Sequence, residues 1–308
     1  MIELRGLTKR YGNLTAVDSI AFKIERGDAF GFVGPNGAGK TTTIRMLATL
    51  LPPDAGSASI NGHDVTRDPE AVRACIGYMP DFFGVYDDMK VWEYLDFFAA
   101  AYRVPRHQRP GLIGDVLELT DLSGKRDDYV EALSRGMKQR LCLAKTLIHD
   151  PEVLLLDEPA SGLDPRARIE IRELLQELVK MDKTIIISSH ILPELAELCN
   201  KIGIIEAGKL VLAGDVKEIS AQLAGGIRLI VQCVDRLDEA CAFLARCPGI
   251  LRAGVAGGRI DAVYQGGPGE HHRVLTALVQ AGFQVQSFSE EEANLETLYM
   301  RLTRGVVS

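Results

Sequence analysis

GPNGAGKTT, running from Gly34 to Thr42, is the stretch on which the fold turns. It fits the pattern G-x-x-x-x-G-K-[ST] and lies between an apolar run, DAFGFVG, and a segment with Ile44, Leu47, Ala48 and Leu51 on one helical face. Strand, glycine-rich loop and helix in that order are what the pattern needs if it is to act. Gly34, Gly37 and Gly39 let backbone N–H groups close around a phosphate chain, with Pro35, Asn36 and Ala38 completing the loop. The start of the following helix adds positive potential. Lys40 can reach the β and γ phosphates of a nucleotide, Thr41 can ligate Mg2+, and Thr42 carries the chain into the helix.

Three further apolar runs, PEVLLLD, KTIIISS and KIGIIEAG, read as buried parallel strands. Asp164 and Pro165 provide a cap and first position for a helix with Ile171, Leu174, Leu175 and Leu178 on one face. Residues from about Phe82 to His149 lack comparable strand runs and read as a helical insertion, starting with VWEYLDFFAAAYRV. The strand PEVLLLD delivers Asp157 and Glu158 to the phosphate end of the sheet, where Asp157 would organise a Mg2+ shell and Glu158 would polarise an attacking water. An acidic pair ending a strand is commonplace by itself; the loop upstream gives it weight. About thirty residues later TIIISSH delivers His190, placed to donate a hydrogen bond to a γ-phosphate. LSRGMKQR sets Ser134 and Gly136 at the start of a helix whose face is Leu141, Ala144, Leu147 and Ile148. Its N-terminal N–H groups make a second anion-binding helix end.

A chain of 308 residues exceeds what a single core usually holds, so two domains are expected. The last lysine is Lys217, and a glycine pair follows at Gly225 and Gly226. The boundary is therefore placed between 1–220, with a helical subdomain at about 82–150, and 221–308. The C-terminal part reads strand, helix, two strands around Gly257 and Gly258, helix, strand and a final helix, with Ser289 and Glu292 as its capping box. The fold class expected is α/β with a small α+β domain of ferredoxin-like βαββαβ order. Net charge of −7, from 35 basic and 42 acidic residues, argues against a nucleic-acid partner. Six scattered cysteines form no CxxC pair and read as reduced thiols. No apolar run approaches the 18 to 20 residues or so that span a bilayer, and the N-terminus has no signal-peptide core, so the chain is expected in the cytosol. His271 and His272 point apart on a helix and do not read as metal ligands.

The order of motifs from Tyr11 to His190 resembles the nucleotide-binding domain of ABC transporters, over roughly residues 2 to 220. By that resemblance GPNGAGKTT looks like the Walker A loop, LSRGMKQR like the signature, VLLLDE like Walker B, SGLD (Ser161 to Asp164) like the D-loop and His190 like the switch histidine. Tyr11 lies where the family stacks an aromatic ring on adenine. Asp81 stands where glutamine is usual and would meet Mg2+ through water. Arg135 and Met137 depart from the usual glycine and glutamine, a variation familiar in one exporter-like branch, and NLETLYMRLTRG is similar to the end of drug, lipid and sodium export ATPases.

The resemblance implies ATP and Mg2+ as cofactors. It also implies a homodimer, or a pairing with a related ATPase, in which each ATP lies between the Lys40 region of one chain and Ser134 and Gly136 of the other. A separate transmembrane permease would hold the pair at the cytoplasmic face of the membrane and use it to energise transport, in the export direction. Several residues keep a plainer reading as well: Asp164 as a helix cap, Tyr11 as an edge-strand aromatic, and Phe82, Phe83, Val85 and Tyr86 as core rather than a grip on the membrane subunit. Among other functions, a soluble ABC-type ATPase acting on ribosomes or DNA usually carries two cassettes or a long coiled coil, and neither is present. A GTPase would need NKxD, where the chain offers only NKIG at Asn200 to Gly203. A low-turnover regulatory module stays open because of Asp81.

Overall fold

Strand β3 (Ala29–Val33) is buried at every position because it runs through the interior of a six-stranded sheet. Its companions are β6 (Ile76–Met79), β7 (Val153–Asp157), β8 (Thr184–Ser189), β9 (Lys201–Glu206) and β10 (Lys209–Asp215), in the order β10-β9-β3-β8-β7-β6. β3 pairs in parallel with β8 and β9, and β7 in parallel with β6 and β8. Continuous apolar runs such as VLLLD and TIIISS are what a parallel strand buried on both faces requires. The computed structural model describes residues 1–82, 84–216, 218–219, 227–265 and 270–291. It divides into two compact units, Met1–Ala213 and Gly214–Ser308.

A second, antiparallel sheet was not anticipated. β1 (Ile2–Tyr11), β2 (Leu14–Ile24), β4 (Ala55–Ile60) and β5 (His63–Asp64) pair in the order β2-β1-β4-β5. Alternation along β1 puts Ile2 and Leu4 inward, and a register shift after Leu4 brings Leu7 to the same side, into one cluster with Ile20 and Ile24 of β2, Phe30 and Phe32 of β3, and Ile186 of β8. The Phe22 ring stacks on Phe30 with centroids 4.8 Å apart, so the two sheets share a core.

Helix α1 (Lys40–Leu47) follows β3 through the loop at Gly34 to Gly39, and α2 (Pro69–Cys75) precedes β6. Between β6 and β7 lie α3 (Val91–Ala101), α4 (Arg109–Leu119) and α5 (Arg135–Leu147), so the insertion is helical, although its described residues up to Lys90 are turns and irregular chain. α6 (Pro165–Lys180) buries the stripe Ile171, Leu174, Leu175 and Leu178, and α7 (Leu192–Leu198) follows β8.

The second unit runs β11 (Ile227–Cys233), helix Leu237–Leu244, β12 (Ile250–Ala256), β13 (Arg259–Tyr264), helix His272–Gln280 and β14 (Val285–Glu291). Its sheet has the order β12-β13-β11-β14 with antiparallel neighbours, the βαββαβ arrangement expected from the sequence. Leu229, Val231, Ile260 and Ala262 of the sheet pack on Ala240, Leu244, Val274 and Leu278 of the helices. Ser289 corrects the sequence reading: it lies in β14 opposite Ile230 and caps no helix. Extending the sheet by one ladder outweighs a single cap there. The final helix expected after it lies outside the described residues, as does Phe83.

Among the described residues no helix is long and apolar enough to cross a membrane. All six cysteines are free thiols, and burial pushes Cys199 up to about 12.

At the end of β3 remote from the glycine-rich loop, Asp28 ties β3 to β9. Its carboxylate accepts from the Glu25 amide (2.7 Å), Asn200 Nδ2 (2.8 Å) and Lys201 Nζ (2.7 Å). Burial works against the charged form, yet Lys201, Asn200 and the amide outweigh it and hold the carboxyl below its ordinary value. A depressed carboxyl stabilises the fold above the unfolded-state pKa and loses that contribution as pH falls through the folded value. Asp28→Asn is therefore expected to cost about 2 kcal/mol in urea unfolding at neutral pH. The difference from wild type should shrink as titrations are stepped below about pH 4.

Candidate functional site

Strand order assembles the site. β3, β8 and β7 are parallel neighbours, so their C-terminal ends open on one edge. From that edge β3 leads into Gly34 to Thr42, β7 ends in Asp157 followed by Glu158, and β8 ends in Ser189 followed by His190. This is where open α/β sheets place ligands.

In the loop, Gly39 has φ 110, and a β-carbon there would stand 2.5 Å from the Ala16 carbonyl oxygen, so only glycine closes the turn onto α1. Gly39 is also the N-cap of α1 and gives no side-chain cap, which leaves the first-turn N–H groups for an incoming anion. Thr43 Oγ1 donates to the Gly39 carbonyl (2.9 Å) and the Ala38 amide to that of Pro35 (3.2 Å), so the loop is braced from within.

Lys40 Nζ donates to the carbonyls of Gly34 (2.7 Å) and Pro35 (3.2 Å) and stands 3.5 Å from Glu158 Oε1. Burial pushes the ammonium's pKa down, while Glu158, Asp157 and Asp81 pull the other way without cancelling the shift. Asp157 is buried; its Oδ1 accepts from Thr41 Oγ1 (3.1 Å) and from Ser188 Oγ (2.5 Å), and its Oδ2 has no hydrogen-bond partner. Glu158 leaves the strand with φ 50, a conformation non-glycine residues seldom adopt. Its amide donates to Ser188 Oγ (3.0 Å), and its Oε2 accepts from His190 Nδ1 (2.9 Å).

The structure thus brings Lys40, Thr41, Asp157, Glu158 and His190 into one cluster. Asp81 lies just beyond β6, exposed, with its charge felt at Lys40. Tyr11 ends β1 with an exposed ring 5.9 Å from Lys9 Nζ. Ser134 is the N-cap of α5, accepting from the Met137 amide (3.3 Å), with Gly136 in the first turn. Among the described residues no hydrogen bond or ion pair joins Ser134 or Gly136 to the Lys40 cluster. Asp164 caps α6, accepting from the amides of Arg166 and Ala167 at 3.0 Å each. Ser188 was missed by the sequence reading. A hydroxyl inside the otherwise apolar run TIIIS was the signal available, since a buried polar group demands a partner.

A family model described as ABC transporter matches residues 17–161. Over 308 residues the chain is 31% identical to the linearmycin resistance ATP-binding protein LnrL of Bacillus subtilis (strain 168), covering 98% of each. The chain belongs to the ABC transporter ATP-binding family. A second ABC relative, the Nod factor export ATP-binding protein I of Burkholderia pseudomallei (strain 1710b), is 35% identical over 305 residues, 98% of this chain and 96% of that protein. A solved ATP-binding subunit of an ABC transporter matches with TM-score 0.65 at 28% identity, over 72% of this chain and 92% of that one. The α/β ABC ATPase core read from the sequence is the fold observed. This ABC protein is the ATP-hydrolysing subunit of a transporter.

Ser188 touches both carboxylate-bearing residues, so Ser188→Ala leaves Asp157 and the Glu158 backbone short of one partner each. We expect kcat for ATP hydrolysis to fall about tenfold, the size of one lost hydrogen bond to a charged group, with KM little changed. Steady-state kinetics of the purified chain would check it.

Proposed function

We propose that two copies of this chain, or one copy and a related ATPase, hold ATP between them and drive a separate membrane permease. The observation that carries this reading is the convergence on Glu158, whose two carboxylate oxygens meet Lys40 and His190 beside the glycine-rich loop. The roles fall to residues 1–220. The loop from Gly34 to Thr42 cradles the phosphates with its amides, and Lys40 exchanges the Gly34 and Pro35 carbonyls for β and γ phosphate oxygens. Tyr11 stacks on the base.

Glu158 accepts a proton from the attacking water, and His190 steadies that carboxylate and the γ-phosphate. The helix start at Ser134 and Gly136 approaches the γ-phosphate of the nucleotide bound by the other subunit, with N–H groups that suit an anion.

The residues present fit Mg2+. Asp157 Oδ2 is buried without a hydrogen-bond partner, Oδ1 of the same carboxylate meets Thr41, and an all-oxygen donor set suits a hard cation. No group of three or more His, Cys, Asp or Glu side chains stands ready for a metal among the described residues. None is needed, because Mg2+ at such sites keeps waters and phosphate oxygens. Thr41 and Asp157 would hold the ion, with Asp81 contributing through water. When bound, it would neutralise charge on the β and γ oxygens.

Export is the direction supported, since one relative is named for linearmycin resistance and another for Nod factor export. A permease would keep the pair at the cytoplasmic face of the membrane, where the exposed aromatics Phe82 and Tyr86 offer a contact surface.

Glu158→Gln keeps the shape of the side chain and removes the base. We expect hydrolysis to slow by about 10²-fold or more and ATP-bound dimers to accumulate. Phosphate release and size-exclusion chromatography with ATP read the two effects, and undiminished turnover would remove Glu158 from its role.

A further inference from the structure

The start of α5 carries a bulky cation, Arg135, between Ser134 and Gly136. Its guanidinium lies against Gly162, in the loop that follows Glu158. A β-carbon built on Gly162 would stand 2.1 Å from Arg135 Nη2, 2.6 Å from Cζ and 2.9 Å from Nη1. Gly162 has φ 66, so the loop both needs glycine for its turn and uses the missing side chain to seat the arginine. No hydrogen bond or ion pair of Arg135 is present among the described residues, which leaves packing as what holds it. Four residues on, Gln139 Nε2 donates to the Pro159 carbonyl (2.6 Å), so residues 135 and 139 grip both parts of this loop from adjacent turns of one helix. A cavity of about 470 Å³, lined in part by Ser161, Gly162, Arg168 and Leu195, also borders the loop. α5 is thus the wall that fixes where the loop sits.

The geometry points to Arg135 as a positioning residue: by packing on Gly162 it keeps its own bulk clear of the Ser134 helix start and holds that start in step with the loop after Glu158. This rests on the reading above, in which that helix start receives a nucleotide from the other subunit. An arginine beside an anion-binding helix end would otherwise swing across the N–H groups or hold the phosphate itself. A guanidinium is more weakly hydrated than an ammonium, so setting it against Gly162 costs less desolvation. Gly162 therefore determines whether the helix start is open.

The consequence is a specific rescue. In full-length chain, Gly162→Ala pushes the guanidinium off its seat and over the helix start, so KM for ATP should rise about fivefold or more, the size of a coupled pair of contacts. Adding Arg135→Gly removes the displaced group, and the double variant should return to within about twofold of Arg135→Gly alone. Steady-state kinetics on the four proteins, with thermal midpoints measured alongside, read both effects. An unchanged or lowered KM in Gly162→Ala overturns the proposal, as does a penalty that is the same with or without Arg135. If Gly162→Ala does not fold, the double variant must fold, with a midpoint below that of Arg135→Gly by no more than the strain of alanine at φ 66; a double variant that stays unfolded also overturns it. A KM indifferent to Ser134→Ala would sink the shared-nucleotide reading and this proposal with it. Full dependence on Ser134, together with additive effects at 135 and 162, sinks this proposal alone.

Discussion

Lys40 and Glu158 hold opposite charges 3.5 Å apart with side chains only 6% and 12% exposed. Charges taken that far out of water persist only if each finds fixed partners, because desolvation alone costs several kcal/mol per ion. The loop carbonyls of Gly34 and Pro35 answer the ammonium, and His190 answers the far oxygen of the carboxylate. Supplying those partners constrains the rest. The ammonium requires the glycine turn between β3 and α1, the carboxylate requires β7 to end there, and the histidine requires β8 between them. The strand order β3-β8-β7 is the arrangement that meets all three demands at once.

Two neighbouring carboxylates in one cluster invite repulsion, and the backbone removes it by sending them into different surroundings. Asp157 is still in strand geometry and accepts two hydroxyl donors, from Thr41 and Ser188. Glu158, with φ 50, has turned out of the strand toward a cation and an imidazole. The strained residue stays in place because Ser188 accepts from its amide through both backbone and side-chain oxygens. One environment is neutral hydroxyls around a carboxylate with a spare oxygen; the other is positive charge. Such a separation lets adjacent acids do unlike work.

What could be read in advance is what is local. The loop, its flanking strand and helix, the acidic pair and the histidine sit within short stretches whose residue types are dictated by turn geometry or by burial on both faces. Of the antiparallel sheet, only the β1–β2 hairpin around Gly12 and Asn13 has a local signal; β1 pairs with β4 across some fifty residues, and half-buried alternation in each strand says nothing about that partner. Ser289 fell to the same cause: its capping-box spacing is real, but the ladder with Ile230 lies far upstream in sequence. Ser188 reaches Asp157 across two neighbouring strands, and Arg135 reaches Gly162 from a helix to a loop; both depend on elements distant in sequence meeting in space, which no spacing rule encodes.

The separation of the two anion-binding helix starts completes the physical picture. The start of α1 lies in the Lys40 cluster, whereas the start of α5 packs toward Gly162 and Ala167 with no polar link to that cluster among the described residues. A helix end carries about half a unit of positive charge, and a nucleoside triphosphate brings several units of negative charge. One end, one lysine itself shared with Glu158, and a divalent cation at Thr41 and Asp157 would still leave oxygens of a terminal phosphate without a donor. A second end would be welcome there, and it is more readily brought by a second ATPase subunit, identical or related, than by moving α5 away from Pro159 and Gly162. Hydrolysis would then weaken the attraction at its strongest point, because the terminal phosphate would be the group both ends share. Charge balance would thereby set when two such subunits, identical or related, close and when they part.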